Sequence, residues 1–595
     1  MHNNRFKIKL HSILKETFVF PNYLFLALIV IILGLQIYLV SDLKNLPSPP
    51  YGGDLYRERA FTQHYLNGEP IYSDPYIEGE YAFYPNLSYI LLAGLTFLTG
   101  WSLDKIIIYF PIFLTPLFCI VMYFLAKELT TDKQIAWAAA LTYALFNLLN
   151  MKYSSNLGFL FILLFIIFYI KILKNEQSWI TKEKILAGIF MGLASLSHYT
   201  SFFIVLCILS TSLFMESIYQ LVIKKKGFWE VIKIKIKQHL IFCLIGLIVS
   251  LIFFYPIIFI YKFNTLNPTN IYAGQDTDTL GISWLFSVVT SFFINTSSIP
   301  SFFIGVLAIG GLILTIMNFN KIEMRLTIFL LVGAIAMTGH YLITKPLFNF
   351  SIVPGNLAVS IVLPVMLLFI IGLLFVKLLL KKTISNNVAI TIFFIVLFLL
   401  LSAKTYTEFK NMNNDRWIIY GRSNDQSIKV INEMQDWILK NTDNNDVFLS
   451  NDESSFMITG ISGRNVVFTR RVHASAYVDM EKRYADGVMM MYCKNTSLSK
   501  ELLKKYNVTY FYIDGATYQS PIIVNISYVK DLEKCNISYI IQDVPLDPSI
   551  AMAKKFTSAV VPAQNLTIIE LVDDSKIKTF FIENNVYSII YPIKS

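Results

Sequence analysis

Charged residues are scarce in this chain of 595 residues. Asp, Glu, Lys and Arg make up 15% of the sequence, whereas hydrophobic residues make up 55%, and the mean hydropathy is +0.55. A soluble globular protein carries about 25% charged residues because its surface must be solvated. The composition therefore excludes a string of soluble domains, and it also excludes disorder, a coiled coil and collagen. It indicates a multi-pass membrane protein with a soluble part attached.

Other absences narrow the function. No strand, glycine-rich loop and helix follow one another in the sequence, so no nucleotide site is expected. The net charge of +10 lies largely in short lysine clusters between apolar runs, so nucleic acid is not an expected partner. Of the five cysteines, Cys119, Cys207 and Cys243 lie in apolar runs. Cys493 and Cys535 lie in polar sequence and could form one disulfide if that region is outside the cell.

Long apolar runs give the topology, because a membrane-spanning helix needs about 20 apolar residues. Clear runs cover 18–41, 106–126, 135–151, 153–170, 240–261, 301–318, 326–344, 357–376 and 388–403. Arg5 and several lysines precede the first run, and no small-residue cleavage site follows it. We therefore expect a retained first span with the N terminus in the cytoplasm, not a removed signal peptide.

Two further stretches are ambiguous. Residues 185–222 are too long for one span and have lysine clusters on both sides, so they are predicted to cross twice, with a turn near residues 197–200. Residues 86–99 are too short to cross and are predicted to form an interfacial helix. This assignment gives about eleven spans. It leaves 21 Lys and Arg in the loops assigned to the cytoplasm, against 7 in the external loops before residue 404.

The domain organisation follows from this topology. We expect a transmembrane domain over 1–404, with a first external loop at about 42–105, and an external mixed α/β domain over 405–595. In that domain the segment 427–440 is predicted to be amphipathic and 477–492 to be helical, and 498–506 is expected to lead through Asn507 into a strand. Strands are predicted at 447–450, 465–469, 508–513, 522–528, 538–542, 566–572 and 578–582. Asn-x-Ser/Thr sequons, which have meaning only on the exported side, all fall in regions assigned outside. They begin at Asn86, Asn295, Asn349, Asn495, Asn507, Asn525, Asn536 and Asn565.

The first external loop is the most informative segment. It contains Gly52-Gly53-Asp54-Leu55-Tyr56-Arg57-Glu58-Arg59-Ala60 and continues to Gly68-Glu69-Pro70-Ile71-Tyr72. The paired glycines allow a tight turn and the next residues have helical character, which puts Asp54 at a helix start just outside the first span. Asp54 could be a helix N-cap. A cap does not explain why Arg57, Glu58 and Arg59 crowd the same turn.

This loop resembles the first external loop of GT-C glycosyltransferases, and more narrowly that of protein O-mannosyltransferases and the lipid A aminoarabinose transferase. The shared pattern is Asp-x-Tyr, a helix with Ala, Gly-x-Pro-x-Tyr, and an aromatic-Tyr-Pro that leads into a short apolar helix. The resemblance implies a GT-C fold, a catalytic acidic residue at Asp54, and a polyprenyl-phosphate-linked sugar used on the exported face. The Trp-Trp-Asp-Tyr-Gly signature of oligosaccharyltransferases is absent, so block transfer of an oligosaccharide to asparagine is not expected.

Such a donor defines the chemistry of the loop. The enzyme must deprotonate an acceptor hydroxyl and stabilise a departing phosphate. Asp54 is the expected general base, and one direct displacement would invert the anomeric carbon. Arg57 or Arg59 could neutralise the phosphate, although either could instead pair with Glu58 or another carboxylate. Glu58 and Tyr84 are the remaining substrate-binding candidates in this loop.

Polar residues at the predicted external ends of other spans are further candidates for substrate binding. They are His198 and Tyr199 in the two-span turn, together with His340, Lys152 and Lys345. A lone histidine in apolar sequence is more often hydrogen-bonded structure, and such a lysine more often extends to the membrane surface. Two histidines at the same depth nevertheless favour a pocket, because polar groups in a membrane are costly unless they are used.

A metal site is a weaker expectation. Asp276 and Asp278 could coordinate a divalent cation such as Mg²⁺ or Mn²⁺, although an isolated Asp-Thr-Asp triplet is more typical of a turn. His473, Asp479 and Asp486 lie in the domain over 405–595, called the tail below. They are not spaced like a metal site and are expected to be surface residues or acceptor contacts. No other cofactor is expected.

The sequence therefore predicts a glycosyltransferase of the plasma membrane that acts in the cell envelope. It would transfer a sugar from a polyprenyl-phosphate carrier to an exported lipid, glycan or protein, with its active site and tail outside. The alternative is a transporter or flippase of lipid-linked sugars, which would need polar groups buried in the middle of its spans. The central spans carry almost no ionisable residues, which favours chemistry at the external surface.

Overall fold

The computed structural model describes residues 22–51, 53–141, 152–174, 178–262, 264–267, 281–348, 358–383, 387–545, 555–583 and 585–594. The chain forms two compact units. The first comprises residues 1–42, 109–252 and 279–415, and the second comprises residues 43–108, 253–278 and 416–595. The second unit thus contains the first external loop together with the tail. The domain boundary at 404 and 405 stays a prediction.

Helices dominate the chain and are numbered here in chain order. They run over Asn22–Ser41 (α1), Asp54–Leu66 (α2), Leu87–Thr99 (α3), Leu103–Thr130 (α4), Lys133–Ala140 (α5), Tyr153–Lys174 (α6), Lys182–Ser197 (α7), Tyr199–Ile218 (α8), Phe228–Tyr255 (α9), Ile282–Phe293 (α10), Ile299–Met317 (α11), Ile322–Thr338 (α12), Tyr341–Phe348 (α13), Val362–Thr383 (α14), Asn387–Asn413 (α15), Arg416–Arg422 (α16), Gln426–Asn441 (α17), Asp452–Ser462 (α18), Met480–Tyr492 (α19), Thr496–Lys505 (α20), Gly515–Gln519 (α21) and Val529–Lys534 (α22). Short π-helical turns, Tyr219–Ile223 and Pro256–Ile260, continue α8 and α9.

The multi-pass character predicted from the sequence is confirmed. Within the described residues, eight helical segments are long and apolar enough to cross a bilayer. The other predicted spans coincide with α5, α7 and α12, which have 8, 16 and 17 residues as described. The count of eleven spans therefore stays a prediction. The helix α3 has 13 residues, too few to cross, as expected for residues 86–99.

Ion pairs in the first unit join helix ends that the predicted topology assigns to the cytoplasmic side. Lys174 at the end of α6 lies 3.2 Å from Glu128 in the last turn of α4 and 3.8 Å from Glu323 in the first turn of α12. Lys377 in α14 lies 2.5 Å from Asp132, which precedes α5. Side chains on opposite sides of a bilayer cannot meet, so these helix ends share one side of the membrane.

The tail contains two sheets. The strands are Val447–Leu449 (β1), Asn465–Val466 (β2), Val508–Asp514 (β3), Ile522–Asn525 (β4), Ile540–Pro545 (β5), Lys555–Val561 (β6), Lys578–Ile582 (β7) and Asn585–Pro592 (β8). One sheet has the order β2-β1-β3-β8-β7, in which β1 is parallel to β2 and β3, whereas β8 is antiparallel to β3 and β7. The other has the antiparallel order β4-β6-β5. The mixed α/β tail is therefore confirmed.

Most elements predicted in the tail lie where the sequence suggests, with one clear error. The segment 566–572 is not a strand, because Thr567–Leu571 forms a 3₁₀ helix. The predicted strand at 522–528 ends at Asn525 and continues as a 3₁₀ turn. Cys493 and Cys535 form a disulfide, with their Cα atoms 4.7 Å apart. That bond ties the end of α19 to the end of α22.

Candidate active site

The first-loop helix α2 packs on the tail helix α18 within the second unit. Gly460 permits the close approach, because a Cβ atom there would lie 3.2 Å from Cδ1 of Tyr56 and 3.3 Å from its carbonyl oxygen. Gly463 ends α18 with a φ of 68°, a left-handed conformation that favours glycine. The surroundings of Asp54 are therefore built from segments about 400 residues apart in sequence.

Asp54 is the first residue of α2. Gly53 occupies the N-cap position, so the interpretation of Asp54 as the N-cap is wrong. The side chain of Asp54 is exposed. A helix N-terminus carries a partial positive charge, which stabilises a carboxylate and attracts anions. Asp54 is thus an accessible carboxylate at an electropositive helix end.

Arg57 lies in the same helical turn as Asp54 and is half-buried. Its guanidinium carbon is 4.5 Å from the centroid of the Tyr84 ring. Its Nε atom is buried and has no hydrogen-bond partner among the described residues. Burial lowers the pKa of Arg57, but the Coulombic interactions with Tyr84, Tyr89, Asp54 and Glu58 outweigh it and raise the pKa above its ordinary value. Arg57 is therefore always positively charged, and its Nε–H group can donate a hydrogen bond to a ligand.

Arg59 has a different environment. It is only 3% exposed, and each of its three guanidinium nitrogens donates a hydrogen bond. Its Nε atom donates to Asp104 at 2.6 Å. Its Nη1 atom donates to the carbonyl oxygens of Gly460 and Ile461, both at 2.7 Å, and its Nη2 atom donates to Gln435 at 2.9 Å. These contacts fix α2 to the tail. Of the two arginines predicted to contact phosphate, only Arg57 keeps a described N–H group without a hydrogen-bond partner.

Two tail residues belong to the same surroundings: Arg470, which sequence reasoning did not select, and His473, which was expected to be a surface residue or an acceptor contact. Arg470 donates from Nη2 to the carbonyl oxygen of Tyr51 at 2.6 Å and forms an ion pair with Glu453. His473 is buried, contrary to its expected place on the surface, and its ring lies 4.7 Å from that of Phe456. The cluster Arg470-Arg471-Val472-His473 is the signal that the sequence offered.

Charged residues of the first loop shift the pKa of His473. Burial, together with the positive charges of Arg57 and Arg470, lowers its pKa to about 3, although the charge of Asp54 opposes this shift. His473 is therefore neutral near pH 7, and its Nδ1 atom has no hydrogen-bond partner in the described part of the chain. Asp486 is also buried, whereas Asp479 is exposed as predicted. Glu58 is buried, and Tyr84 is half-buried beneath Arg57.

Three other predicted site residues lie together at one end of the first unit. Gly158 in α6 has no room for a Cβ atom because Ser201 of α8 lies against it. The starts of α6 and α8 are therefore adjacent, which brings Lys152, His198 and Tyr199 to the same end of the bundle. His198 has a structural role there, since its Nδ1 atom accepts a hydrogen bond from the backbone N–H of Thr200 at 3.1 Å.

His340 lies at that end as well. Arg325 and Glu216 form an ion pair at 3.0 Å near one end of α12 and α8. Farther along, a Cβ atom on Gly333 would lie 2.5 Å from Oγ1 of Thr211, so α12 runs antiparallel to α8. His340 follows α12, and its Nδ1 atom donates to the carbonyl oxygen of Met337 at 2.8 Å. Substrate contacts of this group stay a prediction.

The remaining candidates fall partly outside the described structure. The backbone of Lys345 belongs to α13, but its side chain is outside the described part. Asp276 and Asp278 also lie outside the described residues, so the predicted divalent cation stays a prediction. Within the ranges that are described, no group of three or more His, Cys, Asp or Glu side chains is placed to hold a metal ion.

Comparison with known sequences gives a short relative. No protein-family model matches the chain. The uncharacterized protein MJ1080 of Methanocaldococcus jannaschii is 30% identical over 114 residues, which are 18% of this chain and 84% of that protein.

Solved structures give similar folds. The Archaeoglobus fulgidus oligosaccharyltransferase in its apo form has a TM-score of 0.50 at 13% identity, covering 84% of this chain and 70% of that one. The same type of enzyme, AglB, in complex with an inhibitory peptide and a dolichol-phosphate, has a TM-score of 0.50 at 13% identity, covering 83% and 70%. ArnT from Cupriavidus metallidurans bound to undecaprenyl phosphate has a TM-score of 0.51 at 12% identity, covering 91% and 97%. These likenesses confirm the GT-C fold expected from the first loop.

Proposed function

We propose that this chain, which belongs to the same family as protein MJ1080 of Methanocaldococcus jannaschii, is a membrane glycosyltransferase. Its GT-C fold supports this proposal. It transfers a sugar from a polyprenyl-phosphate donor to a hydroxyl group of an exported acceptor. The dolichol-phosphate bound to AglB and the undecaprenyl phosphate bound to ArnT support a lipid-phosphate carrier. Membrane lipid surrounds the apolar helices of the first unit.

The pairing of Asp54 with Arg57 in the first turn of α2 carries this proposal. Residues three apart on a helix lie on one face, with their Cβ atoms about 5–6 Å apart. An exposed carboxylate therefore stands beside a guanidinium that has an unused buried N–H group. In an in-line displacement the attacking oxygen of the acceptor and the departing oxygen of the phosphate lie on opposite sides of one anomeric carbon. The base and the phosphate-binding group must therefore lie near each other, as Asp54 and Arg57 do.

In the proposed reaction Asp54 accepts the proton of the acceptor hydroxyl, and the oxygen of that hydroxyl forms a bond to the anomeric carbon. The bond from this carbon to the phosphate oxygen breaks, and the polyprenyl phosphate leaves with the electron pair. Arg57 donates to the departing phosphate and balances its charge. A single displacement inverts the configuration of the sugar. His473 remains neutral and adds no charge.

The second unit is proposed to lie outside the plasma membrane, with the N terminus in the cytoplasm. The disulfide between Cys493 and Cys535 supports an oxidising compartment for the tail. The ion-paired helix ends of the first unit support a common cytoplasmic side for the lysine-rich loops. His198, Tyr199, His340, Lys152 and Lys345 would then lie at the external end, where a lipid phosphate would contact them.

Purified full-length protein should be assayed with a panel of radiolabelled polyprenyl-phosphate sugars and an extract of cell-envelope acceptors. We expect covalent transfer of label from one donor, and a loss of about a hundredfold or more in the Asp54→Asn variant. Glu78→Gln is the matched control, because Glu78 is an exposed carboxylate of the same loop. Transfer that survives in Asp54→Asn would remove Asp54 as the base. Label that crosses a vesicle bilayer without covalent attachment would indicate a transporter instead.

A further inference from the structure

A cavity of about 840 Å³ opens in the second unit beside the first loop. One part of its wall is a hydrogen-bonded group centred on Asp514. The hydroxyl of Tyr51 lies 3.2 Å from Oδ2 of Asp514 and 2.9 Å from the hydroxyl of Tyr587. Ser454 donates to both carboxylate oxygens of Asp514 at 2.9 Å. The pKa of Tyr51 is raised by burial and then by its acidic neighbours, so the phenol keeps its proton.

A second part of the polar wall is acidic, and Gln519 and Ser520 add neutral polar groups. Asp452 and Glu453 line the cavity with Arg470, and Glu453 is ion-paired with that arginine. Three carboxylates therefore face one guanidinium. An excess of negative charge repels anionic groups, so the cavity does not suit the phosphate of the donor. A ligand that fits must instead supply hydrogen-bond donors.

Neutral donors already form hydrogen bonds with two of these three carboxylates, those of Asp514 and Asp452, in the protein itself. Asp514 is held by hydroxyl groups of Ser454, Tyr51 and Thr517, and Asp452 accepts from the hydroxyl of Tyr484 at 2.9 Å. A hydroxyl group can therefore donate a hydrogen bond to Asp514 or Asp452 without bringing a positive charge. Apolar side chains of Pro521, Ile523 and Val586 also line the cavity. A lining that combines polar and apolar groups matches a sugar ring, which has hydroxyl edges and C–H faces.

The cavity is also close to the proposed base. Tyr51 precedes Asp54 by three residues, so the two Cα atoms are at most about 11 Å apart. Arg470 holds the carbonyl oxygen of Tyr51 at 2.6 Å and also lines the cavity. A ligand in the cavity would therefore reach Asp54 with one end.

We propose that this cavity binds the acceptor of the transfer reaction and that the acceptor is a neutral, hydroxyl-rich carbohydrate. This inference rests on the proposed glycosyltransferase function and gives the substrate class of the same site. The tail then selects the acceptor, whereas Asp54 and Arg57 act on the reacting bond.

The test is binding of the full-length protein, in detergent micelles, to an array. The array carries neutral oligosaccharides, sulfated and uronic-acid oligosaccharides, and lysine-rich peptides. We expect binding to neutral oligosaccharides, weakened about tenfold or more by Val586→Trp, which fills the cavity from an exposed strand position. Ile540→Trp is the matched control on an exposed position of β5 away from the cavity lining. Asp514→Asn should weaken binding as well.

The outcomes separate this inference from the proposed function. Asp54→Asn should bind the neutral oligosaccharides as well as the unmodified protein does, while losing transfer. Preferential binding of anionic oligosaccharides or lysine-rich peptides would overturn the carbohydrate assignment. Equal binding by Val586→Trp and the unmodified protein would overturn the cavity assignment, even if sugar transfer itself were established. Correct folding of each variant is checked by its thermal unfolding temperature.

Discussion

Arg57 lies over the ring of Tyr84, with its guanidinium carbon 4.5 Å from the ring centroid. Arg59, two residues later, instead donates to an aspartate, a glutamine and two carbonyl oxygens. Two residues on a helix are about 200° apart, so the helix turns these arginines toward different surroundings. Arg57 lies on an aromatic ring and has an N–H group without a hydrogen-bond partner among the described residues. Arg59 joins the first loop to the tail.

Arg57→Gln should impair catalysis without impairing the fold. Loss of a charge-assisted contact to the departing phosphate is expected to lower kcat/KM by about tenfold to a hundredfold. The measurement is transfer of label from the polyprenyl-phosphate donor, with the thermal unfolding temperature recorded alongside. Unchanged kcat/KM in a folded variant would show that Arg57 does not contact the phosphate.

Arg59→Gln should have the opposite effect. Removal of the guanidinium leaves the buried carbonyl oxygens of Gly460 and Ile461 without their donors, at a cost of about 1–3 kcal/mol for each unsatisfied group. We expect a lower thermal unfolding temperature and faster proteolysis of the first loop. An unfolding temperature equal to that of the unmodified protein would contradict this structural role.

The orientation in the membrane is tested by single cysteines at Tyr72 and Lys225. Both positions are exposed, and the predicted topology puts them on opposite sides. Free Cys119, Cys207 and Cys243 are first replaced by serine, whereas the disulfide-bonded pair is kept. In intact cells we expect a membrane-impermeant maleimide to label Tyr72→Cys and not Lys225→Cys. Equal labelling of both would be incompatible with this topology.

Stability should depend on pH through His473. Its pKa is lowered to about 3 in the folded protein, whereas an unfolded histidine titrates near about 6.5. The unfolded chain therefore binds more protons between these values, so this contribution is complete above about pH 6.5 and is lost as the pH falls toward 3. The variant His473→Gln should show a smaller decline in unfolding temperature from pH 7 to pH 4. A decline as steep as that of the unmodified protein would exclude His473 as a source of the pH dependence.

Local patterns predicted the elements whose signals are strong. The alternating aromatic run of β3 and the apolar face of α17 both lie within two residues of their predicted positions. The short apolar run at 566–572 was predicted as a strand but contains the 3₁₀ helix Thr567–Leu571. The periodicity of so short a run does not distinguish a strand from a helix. The strand β8 was not predicted, because it depends on pairing with β3, about 80 residues earlier in the sequence.

The candidate site was predictable only in part for a similar reason. Asp54 could be found because its neighbours form a compact local pattern. The choice between Arg57 and Arg59 depends on how α2 faces the tail, which no local signal encodes. His473 contacts the ring of Phe456, and its pKa is also shifted by charges of the first loop, and these interactions exist only in the folded second unit.

The second unit joins the first loop to residues from the far part of the chain, and this has a consequence for biosynthesis. Asp54 and Arg57 leave the ribosome early, but Arg470 and the strand β8 that supports β3 are synthesised hundreds of residues later. The surroundings of these two residues would therefore remain incomplete until the tail has been synthesised. Such an order would keep an immature copy from consuming lipid-linked sugar before the protein is completely translated.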